Sequence, residues 1–139
     1  MPPHHDLRLL TPVMDVTGAL KRLGDDVELL DQIINIFLED APGLIHSARE
    51  SLARGTTMEL RRAAHSLKGM MGTLGAQEGV AAALKLEHAA TANDLDSAPA
   101  LIHDCGERIA TLTRILNSYV ASHEGNDHDG AQTRLSAGS

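Results

Sequence analysis

Residues 59–74 read ELRRAAHSLKGMMGTL, and their apolar side chains recur at the spacing of one face of an α-helix. On a helical wheel the apolar residues fall in one arc, namely Leu60, Ala63, Ala64, Leu67, Met70, Met71 and Leu74. His65 lies roughly 160° from the middle of that arc. The stretch therefore predicts a helix that buries its apolar arc and exposes His65 on the opposite side.

Two glycines share the helical surface of this histidine. Gly69 follows His65 by four residues and Gly72 follows it by seven, so all three lie on one side of the helix. Glycine inside a helix costs about 1 kcal/mol relative to alanine. We interpret the two glycine positions as part of a docking surface. Because they have no side chains, a loop of another protein can approach the imidazole ring closely.

Three cations lie within about one helical turn of the histidine. Lys68 follows His65 at i+3, and Arg61 and Arg62 precede it at i−4 and i−3, where we place them on the same docking surface. A phosphorylated imidazole carries added negative charge, with which a cation one turn away interacts favourably. A neutral imidazole is a competent nucleophile near pH 7, because the unperturbed pKa of histidine is about 6.5. The combination predicts that His65 carries a phosphoryl group.

The sequence has no motif for producing that phosphoryl group from a nucleotide. It contains no glycine-rich P-loop, no kinase-type nucleotide motif and no acidic metal cluster. The metal ion and the electrostatic stabilisation that phosphoryl transfer needs must then come from a partner protein. We therefore predict a phosphocarrier that is not an enzyme and has no cofactor of its own.

The rest of the chain predicts further helices with short connections between them. Apolar spacing and capping residues indicate a short helix over residues 15–23, a long helix over residues 25–55 that Pro42 either kinks or divides, and two later helices over residues 77–92 and 97–122. Short connections force neighbouring helices to be antiparallel, so residues 15–122 predict an all-α, up-down bundle. We expect a flexible N-terminal arm over residues 1–14 and a disordered tail over residues 123–139, because neither has an apolar helical face.

Composition excludes several classes of protein. A formal net charge of −7 argues against a nucleic-acid binder, which needs basic stripes for its phosphate contacts. Cys105 is the single cysteine, so we expect no internal disulfide, and we interpret it as a small residue on a helix face. No apolar run approaches the ~20 residues that span a bilayer, and the first residues lack the pattern of a secretory signal. We therefore expect a cytoplasmic protein without membrane insertion.

One pattern in the sequence resembles that of a known family. The motif Ala63-Ala64-His65-Ser66-Leu67-Lys68-Gly69, followed by Gly75-Ala76 and Leu86-Glu87, is similar to that of the histidine-containing phosphotransfer (HPt) domain of two-component phosphorelays. The resemblance covers about residues 15–121. It implies a four-helix bundle with a short accessory N-terminal helix. It also implies that His65 exchanges a phosphoryl group with the aspartate of response-regulator receiver domains, downstream of a histidine kinase that can be a hybrid kinase.

The same resemblance implies roles for neighbouring residues. Lys68 would support the phosphohistidine electrostatically, and Gly69 would allow a receiver domain to dock. Glu87 falls on the next helix, where members of the family often place a polar residue that orients the imidazole. Met70 and Met71 depart from the pattern, because many members have small residues there. Since receivers dock transiently, we expect a small interface around a monomeric protein.

The other seven histidines show no spacing that is typical of a metal site. His4, His5, His123 and His128 lie in the two predicted flexible ends, where we expect incidental exposure to solvent. The three within predicted helices have no mutual i,i+4 spacing, and the chain has no Glu-x-x-His pair of the kind that a di-iron bundle requires. The sequence therefore predicts no metal site.

Two alternatives to a phosphorelay carrier stay open. One is the phosphoacceptor module of a chemotaxis-type or hybrid histidine kinase, which shares the histidine-lysine-glycine pattern and would make these 139 residues a fragment. The other is a non-catalytic helical adaptor, in which His65 is idle and the glycines only form a docking groove. Phosphorylation of His65 separates the adaptor from both other hypotheses.

Overall fold

The computed structural model describes residues 5–126, with side chains as far as His123. This part of the chain contains no strand, and its elements are a 3-10 helix (Leu7–Leu10), α1 (Val16–Arg22), α2 (Val27–Arg54), α3 (Thr57–Leu74), α4 (Gln77–Thr91) and α5 (Ala98–Asn126). Contacts of α2 with α3, α3 with α4, α4 with α5 and α5 with α2 close a ring of four helices. The predicted antiparallel up-down four-helix bundle is confirmed, and α1 is its short accessory helix.

The sequence signals for helix boundaries coincide with the observed caps. Asp15 and Asp26 precede α1 and α2, and each carboxylate accepts a hydrogen bond from a backbone N–H three residues later. Pro42 is exposed on α2, which runs through it as one helix, so the alternative of two separate helices is excluded. The helix ends at Gly55, whose φ of 72° is the left-handed conformation that favours glycine.

A second glycine joins the N-terminal segment to the end of α3. Gly75 has a φ of 75°, and its carbonyl oxygen accepts a 2.9 Å hydrogen bond from the backbone N–H of Asp15. A Cβ atom at position 75 would lie 2.7 Å from the carbonyl oxygen of Asp15. Only glycine meets both the conformational and the steric requirement, and the contact fixes the start of α1 against the end of α3.

The N-terminal segment differs from the flexible arm that the sequence predicted over residues 1–14. Leu10 and Met14 are buried in the core, and the 3-10 helix packs against α5. A single 3-10 turn has three residues per turn and too few residues to show a helical period, which is why its apolar face is invisible on a helical wheel. Residues 5–14 are therefore part of the packed structure, whereas residues 1–4 lie outside the described part of the chain.

The last helix also differs from the prediction at its end. α5 continues to Asn126, past His123, where the sequence predicted that a disordered tail begins. The ring of His123 packs edge-on against the ring of Tyr119, with 5.1 Å between the ring centroids. This contact gives the end of α5 a packed side that its polar composition does not indicate. Residues 127–139 of the predicted tail lie outside the described residues.

The core has the aliphatic composition that the sequence indicated. Six of the seven residues in the apolar arc of α3 are buried, and Met70 is half-buried instead. Met71 fits because Gly79 lies opposite it on α4, where a side chain would collide with the Met71 sulfur.

Cys105 is buried, and burial raises the pKa of its thiol to about 11, so the cysteine is a packing residue. Within residues 5–126 no helix is long and apolar enough to cross a membrane.

Candidate functional site

His65 lies on the side of α3 that faces away from the core. Its side chain is 67% exposed, whereas Ala64 and Leu67 on the opposite side of the helix are fully buried. The exposure predicted from the helical wheel is therefore confirmed. Because α3 is packed on both α2 and α4, the imidazole is presented from a rigid element rather than from a loop.

Glu87 on α4 connects His65 with Lys68. One carboxylate oxygen, Oε2, lies 2.7 Å from His65 Nδ1, and the other, Oε1, lies 2.6 Å from Lys68 Nζ. Both are charge-assisted distances, and the Glu87 side chain is only 14% exposed. The antiparallel packing of α3 and α4 thus brings together three residues that the resemblance named separately.

The hydrogen bond to Glu87 determines which ring nitrogen of His65 is free. An ionised carboxylate only accepts hydrogen bonds, so Nδ1 must carry the proton that is donated to Oε2. In the neutral imidazole the other nitrogen, Nε2, then has the lone pair. Because the ring is mostly exposed, this lone pair is available to a reactant from outside the bundle. An imidazole arranged in this way can act as a nitrogen nucleophile.

The electrostatic environment of Glu87 keeps the carboxylate ionised. The hydrogen bond from the Lys68 ammonium is the largest cause that lowers the pKa of Glu87 below its ordinary value of 4.5, and the hydrogen bond from His65 acts in the same direction. Partial burial opposes these effects, since it disfavours the charged carboxylate, but the net direction is downward. Lys68 and His65 therefore both favour the ionised form of Glu87.

A groove between α2 and α3 runs beside His65. It is open to solvent, has a volume of about 810 Å³ and is lined by Glu39, Asp40, Gly43, Leu44, Ser47, Ser66, Gly69 and Met70. A Cβ atom at position 69 would have no heavy atom within 4 Å, so Gly69 leaves open space next to the histidine. The sequence analysis missed the α2 side of this groove, although Gly43 and Ser47, one turn apart on α2, are the small residues that could have indicated it.

The other residues of the predicted docking surface are placed differently. Arg61 and Arg62 are exposed on α3, before His65. Gly72 is only half-exposed, because its backbone carbonyl accepts a 3.0 Å hydrogen bond from Arg22 of α1. The open surface around His65 thus extends along Gly69 towards α2 and ends before Gly72.

A second group of titratable side chains lies outside this surface. His5 and His123 both approach Asp31 of α2, with Nε2–Oδ2 distances of 2.9 Å and 3.4 Å. Their side chains are 21% and 17% exposed, so the prediction that they are incidentally exposed is wrong. No local spacing could have indicated the group, since its members come from three distant parts of the sequence. His4 and His128, included in the same prediction, lie outside the described residues.

Comparison with known proteins identifies the family of the chain. A family model described as "Hpt domain" matches residues 32–124, a range that includes all of α3 and α4. The chain belongs to the HPt domain family. It is a histidine phosphotransfer protein of phosphorelay signalling, and HPt proteins are phosphocarriers rather than kinases.

A solved structure is similar over most of this HPt chain. The crystal structure of histidine-containing phosphotransfer protein B (HptB) from Pseudomonas aeruginosa PAO1 shares 25% sequence identity with it, at a TM-score of 0.64. The match covers 85% of this chain and 95% of the HptB chain. No curated protein sequence matches the chain. The structural match supports the bundle architecture of the domain that carries His65.

Proposed function

We propose that His65 is the phosphoacceptor of this HPt protein and that the phosphoryl group is bonded to its Nε2 atom. The observation that carries this proposal is the 2.7 Å hydrogen bond between Nδ1 and Glu87 on an imidazole that is 67% exposed. It leaves Nε2 as the ring nitrogen with a lone pair and directs it to a partner protein rather than to the core.

The transfer step is a displacement at phosphorus. The lone pair of His65 Nε2 attacks the phosphorus of an aspartyl phosphate on a receiver domain, and the bond between phosphorus and the aspartyl oxygen breaks. The receiver aspartate leaves with the electron pair as a carboxylate, while an Nε2–P bond forms. The imidazole gains positive charge in this step, which Glu87 stabilises through the retained Nδ1–H hydrogen bond. The reverse sequence returns the phosphoryl group to a receiver.

The supporting residues affect the ionisation of Glu87 and the access of a receiver domain to His65. Lys68 keeps Glu87 ionised and in place, since it bonds the carboxylate oxygen that His65 does not use. Gly69 and the groove towards α2 provide room for a receiver to approach, with Arg61 and Arg62 at the edge of that surface. The Mg²⁺ that phosphoryl transfer commonly requires would be supplied by the receiver.

The proposed partners are receiver domains and a histidine kinase, hybrid or otherwise, that supplies the phosphoryl group to the relay. We further propose that the protein acts in the cytoplasm. We also propose that it acts as a monomer, because one exposed histidine with an adjacent groove can complete a transient interface of small area. The single chain offers His65, Glu87 and the groove without a contribution from a second copy.

The test is phosphoryl transfer from a panel of phosphorylated receiver domains of the same organism. The parent protein should acquire an acid-labile, alkali-stable phosphoryl group, and His65→Gln should stay unlabelled while its circular dichroism spectrum is unchanged. His88→Gln is the matched control, because His88 is an exposed histidine next to Glu87 on α4. Labelling that persists in His65→Gln would contradict the proposal, and absence of label in the parent with every receiver would favour the adaptor hypothesis.

A further inference from the structure

We propose that His5, Asp31 and His123 form a binding site for a divalent transition-metal ion of the zinc class. The three residues offer two imidazole nitrogens and one carboxylate oxygen that all lie within 4.8 Å of one another. They come from the N-terminal segment, the start of α2 and the end of α5. The site is separate from the phosphotransfer machinery, whose residues lie on α3 and α4.

The distances in the group match those between ligands of one metal ion. Zinc bonds to histidine nitrogen and carboxylate oxygen at 2.0–2.2 Å in tetrahedral geometry, so neighbouring ligand atoms are about 3.4 Å apart. The Nε2 atoms of His5 and His123 lie 2.9 Å and 3.4 Å from Asp31 Oδ2. The ring centroids of the two histidines are 4.6 Å apart, which brings both imidazoles to the same side of the carboxylate. Small adjustments therefore suffice to admit the ion.

The carboxylate of Asp31 is oriented as metal ligands usually are. Its other oxygen, Oδ1, accepts a 2.6 Å hydrogen bond from the hydroxyl of Tyr119, whose side chain is fully buried. A hydrogen bond of this kind fixes the rotamer of a ligating carboxylate and leaves the remaining oxygen for the ion.

Within the described part of the chain, hydrogen bonding leaves one nitrogen of the group without a partner. Two imidazoles approach the same carboxylate oxygen, and Nδ1 of His123 is buried without a hydrogen-bond partner among the residues that the structure describes. A divalent cation would bind through the Nε2 atom of each ring and through Asp31 Oδ2, and would hold the three side chains in one geometry.

The chemistry of the donors selects the class of ion. Imidazole nitrogens favour zinc, nickel and copper, whereas magnesium and calcium prefer sites made of oxygen ligands. Three protein ligands leave a fourth tetrahedral position for water, and side chains that are 17–21% exposed are reachable by the ion from solvent. Binding would link the N-terminal segment to both α2 and α5 and would stabilise the folded chain by mass action.

Thermal unfolding of the untagged full-length protein with and without Zn²⁺ tests the proposal. We expect Zn²⁺ at about 100 times its Kd to raise the Tm by roughly 5–10 °C, at one ion per chain, and Mg²⁺ to have no effect. Co²⁺ should bind in place of zinc and give a visible absorption spectrum of tetrahedral type. His5→Gln and His123→Gln should each lose the shift, measured against the Tm of the same variant without metal.

Matched controls separate this site from ordinary surface histidines. His46 and His103 each lie near a glutamate one turn away, at 3.2 Å and 3.7 Å, so they offer pairs of ligands but not a third. The double variant His46→Gln/His103→Gln should keep the zinc shift, as should His65→Gln, whose result separates this inference from the proposed phosphotransfer role. A shift that survives in the double variant His5→Gln/His123→Gln, or no shift in the parent, would overturn the proposal.

Discussion

The molecule pairs histidine with a carboxylate at two places, and the two places differ in what surrounds the ring. At His65 the imidazole is 67% exposed, one nitrogen is bonded to Glu87, and the other is open to solvent. At Asp31, two histidines that are 21% and 17% exposed converge on one oxygen. The carboxylate is similarly covered in both sites, at 14% and 17% exposed.

The histidine–carboxylate pair is the same in both places, but the environment of the ring determines which chemistry is open to it. An exposed imidazole with one committed nitrogen can attack a group that a partner protein delivers. Two enclosed imidazoles that share an acceptor are suited to hold an ion or to tie segments together. The first arrangement uses one face of two adjacent helices, and the second connects an N-terminal segment to α2 and α5. Substitutions in the two sites should therefore affect different measurements.

The largest effect on transfer after the loss of His65 itself is expected for Glu87→Gln. The amide removes the charge that holds Nδ1 protonated and that stabilises the positive imidazole, so the rate of phosphoryl acceptance should fall about 10- to 100-fold. A quenched-flow assay of transfer from a phosphorylated receiver measures the rate of phosphoryl acceptance. Glu78→Gln on the same helix is the control, because its carboxylate pairs with Arg108 instead, and it should transfer at the parent rate.

At the second site, around Asp31, a substitution should change the stability of the protein and not the rate of phosphoryl transfer. Asp31→Ala leaves the buried hydroxyl of Tyr119 without its acceptor and should lower the free energy of unfolding by about 1–3 kcal/mol. Urea denaturation measures this loss. Gln32→Ala, an exposed neighbour on α2, should change stability by less than about 0.5 kcal/mol. If folded Asp31→Ala accepted phosphoryl groups far more slowly than the parent, the separation of the two sites would be wrong.

A smaller effect on transfer is expected for Lys68→Ala, because Lys68 acts through Glu87. The rate should fall about 3- to 10-fold, less than in Glu87→Gln, since the carboxylate remains. NMR titration should show that the pKa of Glu87 rises towards its ordinary value once the largest cause of its lowering is removed. Lys68→Arg should restore most of the rate. Lys85→Ala, an exposed lysine of α4, is the control, and an unchanged Glu87 titration in Lys68→Ala would contradict this role.

Two helix glycines should give changes in stability of opposite sign. Gly69→Ala places a methyl group in open space and should stabilise the protein by about 1 kcal/mol through helix propensity, while larger side chains there should slow transfer by blocking approach. Gly79→Ala meets the sulfur of buried Met71 and should destabilise by about 1 kcal/mol, because overpacking exceeds the gain in propensity. Denaturation midpoints measure both. Equal and stabilising effects would show that α3 and α4 are not closely packed at Gly79.

The helical bundle and the exposure of His65 could be predicted from the sequence, because both follow from the local periodicity of apolar residues. The arc of α3 alone predicted which side of the helix His65 occupies, and aspartate and glycine caps predicted where helices begin and end. The position of Glu87 came only from resemblance, since its bond to His65 depends on how α4 packs against α3. The group around Asp31 could not be predicted, because it requires a 3-10 segment without helical period and an extension of α5 beyond its apolar pattern.

The most direct test of the central claim is to identify the phosphorylated nitrogen. The parent protein, labelled with ¹⁵N in histidine and phosphorylated by a receiver domain, can be examined by NMR for coupling between phosphorus and the ring nitrogens. We predict that phosphorus is bonded to Nε2 of His65, while Nδ1 keeps its proton and its hydrogen bond to Glu87. A phosphoryl group on Nδ1, or on any other histidine, would contradict the account.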